Sequence, residues 1–277
     1  MSCKAQGLPL SNQLQTFLIN LDRSTDRLAA MKARLDRLGR SWVRVPAVDG
    51  RALDLSCLGD KVDEAAFARR HGKRLNPSEV GCHLSHIKAL QTFLDGPWHW
   101  ALILEDDADF PPDFSHLLAE LLACEAQWDI VKLSAFHSGS PIPLTRLTER
   151  YELAVPLARL MNANCILFNR HAAATLVQRL QPMTLPYDHA LEQAVLFGLR
   201  LRTVTPIPCP ADTGLASTIG GRPQLKPFKF AWYRRLPAMG FRLSMELRRV
   251  VRGIGQLVQA RRWAARQAER AGPAQRE

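Results

Sequence analysis

Four carboxylates, Glu105, Asp106, Asp107 and Asp109, fall within five positions directly after the apolar run Ala101–Leu104. Like charges packed this tightly repel one another unless a cation joins them. A buried strand that runs into acids places them at a strand's carboxyl end, where open α/β sheets bind ligands. A hard divalent ion, Mn²⁺ or Mg²⁺, suits such oxygens, and sites of this kind commonly pair one or two carboxylates with substrate phosphates. The chemistry therefore points to a nucleotide or sugar diphosphate. The plainer alternative is an acidic loop in solvent.

Other residues could complete such a site. Arg23 and Arg27 stand one helical turn apart near a helix start, where free backbone N–H groups also attract anions, so a phosphate could sit there. Asp22, just after the first strand, could accept from a ribose hydroxyl or a base; a salt-bridge and capping network is the alternative. Glu79, Cys82, His83 and His86 share about a third of a helix circumference. Ser85 and His86 read as hydrogen-bonding groups lining a cleft, with Glu79 as a capping residue or a partner to them. A zinc site on His83 and His86 wants further ligands at compatible spacing, and none is evident. Asp188, in Pro186-Tyr187-Asp188-His189, is either a helix N-cap or a general base placed to take a proton from a hydroxyl. No G-x-x-x-x-G-K-[ST], G-x-G-x-x-G or G-x-S-x-G motif is present, which removes the main support for P-loop hydrolysis, dinucleotide binding and the usual serine-hydrolase turn.

The elements that must hold these groups alternate short apolar runs with longer helical patterns. That is the signature of an α/β domain whose largely parallel, buried sheet is flanked by helices. Strands are expected at Thr16–Leu21, Trp42–Val45, Ala101–Leu104, Ile130–Leu133, Cys165–Phe168 and Leu201–Thr205. Leu28, Met31, Leu35 and Leu38, at spacings of 3, 4 and 3, mark a helix entered at Ser24 or Thr25 and ended by Gly39. Residues 51 to 75 have no clear period and read as an irregular excursion. Asn76-Pro77-Ser78-Glu79 then opens a second helix with an N-cap, a first-turn proline and an acid, and Val80, Leu84, Ile87 and Leu94 line its buried side. A further helical segment spans Ala190 to Leu199.

The 277 residues are 47% hydrophobic and 23% charged, which excludes a disordered or collagen-like chain. No run reaches the roughly 20 apolar residues a membrane-spanning helix needs, and Met1–Lys4 opens no secretory core. The expectation is a cytoplasmic chain whose scattered cysteines, Cys3, Cys57, Cys82, Cys124, Cys165 and Cys209, stay reduced. The net charge of +11 belongs to the tail: Arg222–Glu277 carries 14 Lys+Arg against 3 Asp+Glu, and the preceding 221 residues balance to zero. Prolines 206, 208, 210, 223 and 227 punctuate the chain between about 206 and 227. From Phe241 to Trp263 apolar residues and arginines interleave at the spacing of one amphipathic helix. Such a basic amphipathic helical tail could pack on the domain, lie on an anionic membrane surface, or bind nucleic acid, the last without any recognisable module. The lipid surface is the favoured partner, which would hold the chain peripherally on the inner face of the membrane, with the tail dispensable for activity on soluble substrates.

In sequence order these pieces resemble glycosyltransferase family 25, the group that includes bacterial lipooligosaccharide galactosyltransferases and galactosyltransferases acting on collagen hydroxylysine. The resemblance is carried by Phe17-Leu-Ile-Asn-Leu-Asp-Arg-Ser-Thr-Asp-Arg27, Val45-Pro-Ala-Val-Asp-Gly50, Pro77-Ser-Glu-Val-Gly-Cys-His-Leu-Ser-His86, Leu104-Glu-Asp-Asp107 and Pro186-Tyr-Asp188, and covers about residues 14 to 220. It implies a GT-A-like fold for a catalytic domain over 14–220, with the basic tail over 221–277. It also implies a UDP-sugar donor such as UDP-galactose, a divalent metal on the diphosphate, and transfer with inversion to a saccharide hydroxyl of a lipopolysaccharide, lipooligosaccharide or related glycan. Asn20, Asp22, Arg23 and Arg27 would hold nucleotide and phosphates. Glu79, Ser85 and His86 would line the donor or acceptor side, the acids at 105, 106, 107 and 109 would hold metal, and Asp188 would be the base. Two departures stand out. Met161-Asn-Ala-Asn-Cys165 replaces the small residue and tyrosine that relatives carry on the strand after the central acids, and Asp109 is an additional carboxylate. The competing readings are a metal-dependent phosphohydrolase acting on a nucleotide diphosphate, and a non-catalytic sugar-nucleotide or nucleic-acid binding protein.

Overall fold

The computed structural model describes residues 13–210 and 228–271, with side chains as far as Arg262 and without that of Pro210. Cys3, Pro223, Pro227, the side chain of Trp263 and the expected boundary at 220/221 lie outside the described residues. The strands are β1 (Leu14–Asn20), β2 (Trp42–Pro46), β3 (Trp100–Glu105), β4 (Ile130–Lys132), β5 (Ser134–Ala135), β6 (Pro141–Arg146), β7 (Glu152–Pro156), β8 (Cys165–Asn169), β9 (Leu201–Thr205) and β10 (Cys209–Pro210). The helices are α1 (Thr25–Arg37), α2 (Glu64–His71), α3 (Pro77–Asp95), α4 (Phe114–Ala123), α5 (Arg170–Arg179), α6 (Tyr187–Leu191) and α7 (Leu236–Ala271).

Eight strands form one sheet in the order β2-β1-β3-β8-β4-β9-β7-β6. β1 runs parallel to β2 and β3, and β4 parallel to β9; β8 is antiparallel to both β3 and β4, and β7 is antiparallel to β9 and β6. The sheet is therefore mixed, which corrects the largely parallel expectation. Continuous apolar runs report that both faces of a strand are covered, and they carry no information on its direction. Alternate side chains of β1 supply the two cores: Phe17 and Ile19 pack with α3, α5 and α6, whereas Leu14 and Leu18 pack with α1 and α4.

The expected α1 is present, from its N-cap at Ser24 to Gly39 at φ +62°, with Met31 and Leu35 buried. α3 starts as expected: the Asn76 side chain accepts from the Ser78 N–H and Pro77 sits in the first turn. The excursion over 51–75 differs from expectation in holding α2, capped by Asp63 and ended by Gly72 in the left-handed region. β6 was also not legible, because Pro141 and Pro143 argue against a strand; it lies at the sheet edge, where a missing N–H costs no ladder bond. The segment expected over 190–199 begins earlier, as α6, and continues as a tighter turn over Glu192–Phe197.

α7 starts at Leu236, ahead of the expected Phe241, and packs on the body. Ala238, Met245, Arg249 and Leu257 are buried along one stripe. Gly253 on the same stripe lets the helix approach closely, since a Cβ there would stand 2.6 Å from Leu157 Cδ2. Arg249 is 1% exposed and lies 3.3 Å from Glu192, whose other oxygen accepts from Lys132 Nζ at 2.9 Å. Burial alone would raise the Glu192 carboxyl, but Lys132 and Arg249 together hold it below its ordinary range. A second stripe of α7, with the turn before it, remains exposed: Trp232 at 74%, Leu243 at 63%, Leu247 at 61% and Val251 at 70%. No helix among the described residues is long and apolar enough to cross a membrane.

Candidate active site

The parallel strands β1, β2 and β3 deliver their carboxyl ends to one open cleft, about 600 Å³ with the solvent at its mouth included. Asn20 ends β1, Arg23 and Arg27 follow at the entry of α1, and Glu105 and Asp106 end β3; all five line the cleft. The floor is supplied by α3 through Cys82, Ser85 and His86, and one wall by the loop after β2, Val48–Gly50.

The acids divide by their contacts. Asp106 is buried and accepts from Asn20 Nδ2 at 2.8 Å and from Arg27 at 2.6 Å. Burial nevertheless outweighs those donors and leaves its carboxyl above the ordinary value. Among the described residues, the one side-chain donor to Asp107 is Arg27, at a long 3.4 Å to Oδ2, and the carboxylate's Oδ1 is buried with no hydrogen-bond partner. Burial first, then repulsion from Glu105 and Asp106, pushes the Asp107 carboxyl up to about 6 against the pull of Arg27. Asp109 is set apart: its side chain is 52% exposed, and it accepts from the Phe110 N–H and pairs with Arg34 of α1 at 3.7 Å.

Glu105 links these acids to α3. Its Oε1 contacts His86 Nε2 at 2.9 Å and is 4.0 Å from Cys82 Sγ. The donor atoms of Cys82, His86 and Glu105 all lie within 4.8 Å of one another. The further ligands that a site on α3 lacked in the linear chain are thus brought together by the fold, with Cys82 one turn before His86. His83 is excluded from the group because its Nε2 faces the Leu180 carbonyl at 3.1 Å. Burial, reinforced by Glu105 and other nearby acids, drives the Cys82 thiol far up, so the thiol is neutral. Cys57, Cys82, Cys124, Cys165 and Cys209 are all free thiols.

His86 also stacks on Tyr187, ring centroids 4.0 Å apart and 9° from parallel, which joins the acids to the Tyr187–Asp188 turn. The helix starts at Tyr187, so Asp188 lies inside the first turn, where it accepts from the His189 N–H at 2.8 Å. Its charge is felt by Glu79 and Cys82. Glu79 is buried behind the cleft: Oε1 pairs with Lys73 at 3.4 Å, Oε2 has no partner, and burial raises its carboxyl. Asp22 is exposed and pairs with Arg44 at 2.6 Å, beside the cleft but outside its lining. Arg44 also donates to Asn20 Oδ1, which makes it the hinge between Asp22 and the site.

Three contributors were not singled out from the sequence as site residues. Asp49 pairs with Arg23 across the cleft mouth. Gly50 and Gly81 allow the β2 loop to press on α3: a Cβ at Gly50 would meet the Pro77 carbonyl oxygen at 2.2 Å, and one at Gly81 the Val48 carbonyl oxygen at 2.6 Å. Ser85 fastens the same junction, accepting from the Val48 N–H at 2.8 Å and donating to the Gly81 carbonyl at 2.6 Å. The signal was available, since both glycines sit inside the quoted motifs. Gly81→Ala must displace backbone, and the expected loss is about 1–3 kcal/mol of stability. Gly255→Ala, in helix and with nothing within 4 Å, is expected to be neutral or mildly stabilising. Thermal melts of the two variants check this; equal melting temperatures would contradict the close-approach account.

A family model described as Glycosyltransferase family 25 (LPS biosynthesis protein) matches residues 13–191. The chain is similar to a procollagen galactosyltransferase 1 of Danio rerio, 32% identical over 124 residues that make up 42% of this chain and 20% of that protein. It is similar to a glycosyltransferase 25 family member of Aedes aegypti at 31% identity over 121 residues, again 42% of this chain and 20% of the relative. A probable inactive glycosyltransferase 25 family member 3 of Rattus norvegicus is 30% identical over 126 residues, 43% of this chain and 22% of the relative. The chain thus spans about a fifth of the length of these curated relatives.

Proposed function

Because the chain belongs to glycosyltransferase family 25, we propose that it moves a hexose, galactose in our reading, from a UDP-sugar to a hydroxyl of a saccharide or glycolipid acceptor, with inversion at the anomeric carbon. The observation that carries this reading is Asp107 Oδ1, a buried carboxylate oxygen without a partner at the carboxyl end of β3. Mn²⁺ or Mg²⁺ would supply that partner, and the residues fit it: Asp107 with Glu105 offers hard oxygen ligands, Asp106 is committed to Asn20 and Arg27, and Asp109 is turned to Arg34. When bound, the ion neutralises negative charge on the departing diphosphate. Arg23 and Arg27, flanking the cleft, would hold the phosphates, and Asn20 is fixed by Asp106 and Arg44 where it can meet the nucleotide. His86, stacked on Tyr187 and bonded to Glu105, orients the one against the other. Asp188 would take the proton of the acceptor hydroxyl as the new glycosidic bond forms.

The direct test incubates the protein with UDP-sugars, Mn²⁺ or Mg²⁺ and saccharide acceptors, following UDP and new glycoside together. Acceptor-dependent UDP release with an equal amount of glycoside is expected; UDP release indifferent to acceptor would favour a phosphohydrolase. Asp188→Asn is expected to lower turnover by about 10²–10⁴-fold, as loss of a general base does, and near-normal turnover would contradict that role.

The exposed stripe of α7 supports a second part of the reading, peripheral attachment to an anionic membrane where a lipid-linked glycan is built. Leu243, Leu247 and Val251 stand exposed beside Arg248 and Arg252 on the same helix. Deleting residues 230–277 would not test this, and would not spare activity, because it strips Arg249 from Glu192. Replacing Leu243, Leu247 and Val251 together by Ser is expected to abolish sedimentation with phosphatidylglycerol vesicles, and wild-type binding is expected to weaken with salt. Sedimentation of the triple variant with wild-type efficiency would contradict the attachment.

A further inference from the structure

A second, smaller pocket, about 370 Å³ when the open solvent at its mouth is included, lies between α7 and the body. Arg70, Arg159, Arg242 and Arg249 line it, together with His189, the residue after Asp188. Its two carboxylates are already engaged: Glu192 by Lys132 and Arg249, and Glu246 by Arg249 at 2.6 Å and Arg159 at 2.8 Å. Among the described residues, Arg70 and Arg242 have neutral acceptors only, the Thr184 hydroxyl at 2.9 Å and the His71 carbonyl at 2.8 Å. Arg249 Nε is buried with no partner. Burial lowers Arg242, and the neighbouring guanidiniums of Arg159 and Arg235 lower it further, as expected where four guanidiniums line the pocket against two carboxylates. His189 feels both Asp188 and the guanidiniums of Arg242 and Arg159, so the cavity adjoins the carboxylate read above as the base.

Crowded guanidiniums facing a concave space are costly until an anion arrives, and their planar forks match phosphate and carboxylate. We propose that this cavity is an anion subsite that holds a phosphate or carboxylate substituent of the saccharide acceptor and so presents a neighbouring hydroxyl to Asp188. The proposal rests on the reading of Asp188 as the base. It narrows the acceptor to an anionic sugar, and it gives the inner face of α7 a role separate from that of the exposed stripe.

The test measures binding of galactose 6-phosphate and of galactose to the full chain by calorimetry. Wild type is expected to bind the phosphorylated sugar at least ~10-fold tighter, the worth of one charge-assisted contact. Arg242→Gln and, separately, Arg159→Gln are expected to bring the two sugars to one affinity. Melting temperatures report whether each variant folds; Arg159 is 43% exposed, so its substitution keeps the test open should Arg242→Gln unfold the protein. Equal affinities in wild type, or a preference that survives both substitutions, would overturn the subsite. Displacement of galactose 6-phosphate by phosphatidylglycerol vesicles would assign the arginines to a lipid headgroup and overturn it too, whereas displacement by inorganic phosphate alone supports it. UDP binding with Mn²⁺, measured on wild type, reads the donor site independently. Its failure would sink the glycosyltransferase reading while leaving the sugar preference measurable.

Discussion

Asp107→Asn is expected to lower turnover by about 10³-fold, close to 4 kcal/mol of lost transition-state stabilisation, with the fold intact. The substitution keeps shape and removes a charge that would hold the ion, leaving Glu105 alone to face it. Asp106 is paired with Arg27 and hydrogen-bonded by Asn20, and Asp109 faces Arg34. The pH dependence has a definite sign. The Asp107 carboxyl lies raised, at about 6, so in the ion-free protein it is protonated below that pH and ionised above it, and the stability cost of the raised carboxyl builds as pH rises from the ordinary carboxylate value to about 6 and is constant beyond. An ion must displace this proton below pH ~6, so Mn²⁺ affinity should fall by about tenfold per pH unit there. The stabilisation Mn²⁺ confers should therefore be small at pH 5 and full at pH 7. Thermal melts with and without Mn²⁺ check this, and equal shifts at the two pH values would contradict it. In Asp107→Asn the Mn²⁺ shift should be absent at both.

Glu192→Gln is expected to cost about 3–5 kcal/mol and to lower the melting temperature on the order of 10 °C. The carboxylate lies between Lys132 Nζ and Arg249, both fully buried; without it Arg249 keeps only Glu246, and Lys132 is left facing a second cation with no carboxylate of its own among the described residues. Arg249→Met should cost less, because Glu192 keeps Lys132. Since Arg249 comes from α7, Glu192→Gln should also expose that helix to limited proteolysis at temperatures where wild type resists. A variant that melts within ~2 °C of wild type would mean that α7 is a loosely held appendage, as the charge distribution alone had implied.

The contrast between α1 and β6 shows how far the sequence could be read. α1 was legible because Ser24, the spacing of Met31 and Leu35, and Gly39 all state the same element. β6 was not, since its two prolines oppose a strand and only its place at the sheet edge permits one. Direction within the sheet was likewise hidden: β8 reads like any buried strand, and only the path of the chain sets it antiparallel between β3 and β4. Asn20, Arg23, Arg27, Ser85, His86, Glu105 and Asp106 were named from local motifs, and they do line one cleft. What could not be read was the division of labour among the acids. Asp106 and Asp107 are neighbours of one type, and only contacts from distant Asn20 and Arg27 distinguish the neutralised acid from the one with an oxygen to spare. Arg249 was equally hidden. It was one arginine among many on a basic helix, and nothing local marks it as the residue that faces inward to Glu192.

The acid cluster can be tested most directly by diffraction from crystals soaked with Mn²⁺ and UDP, using the anomalous signal of manganese. The account predicts one peak ~2.1 Å from a carboxylate oxygen of Asp107, in contact with the diphosphate, and uridine within the cleft between Asn20 and Val48–Gly50. A peak confined to Cys82 and His86, or UDP bound away from the carboxyl end of β3 with Asp107 free of metal, would contradict it.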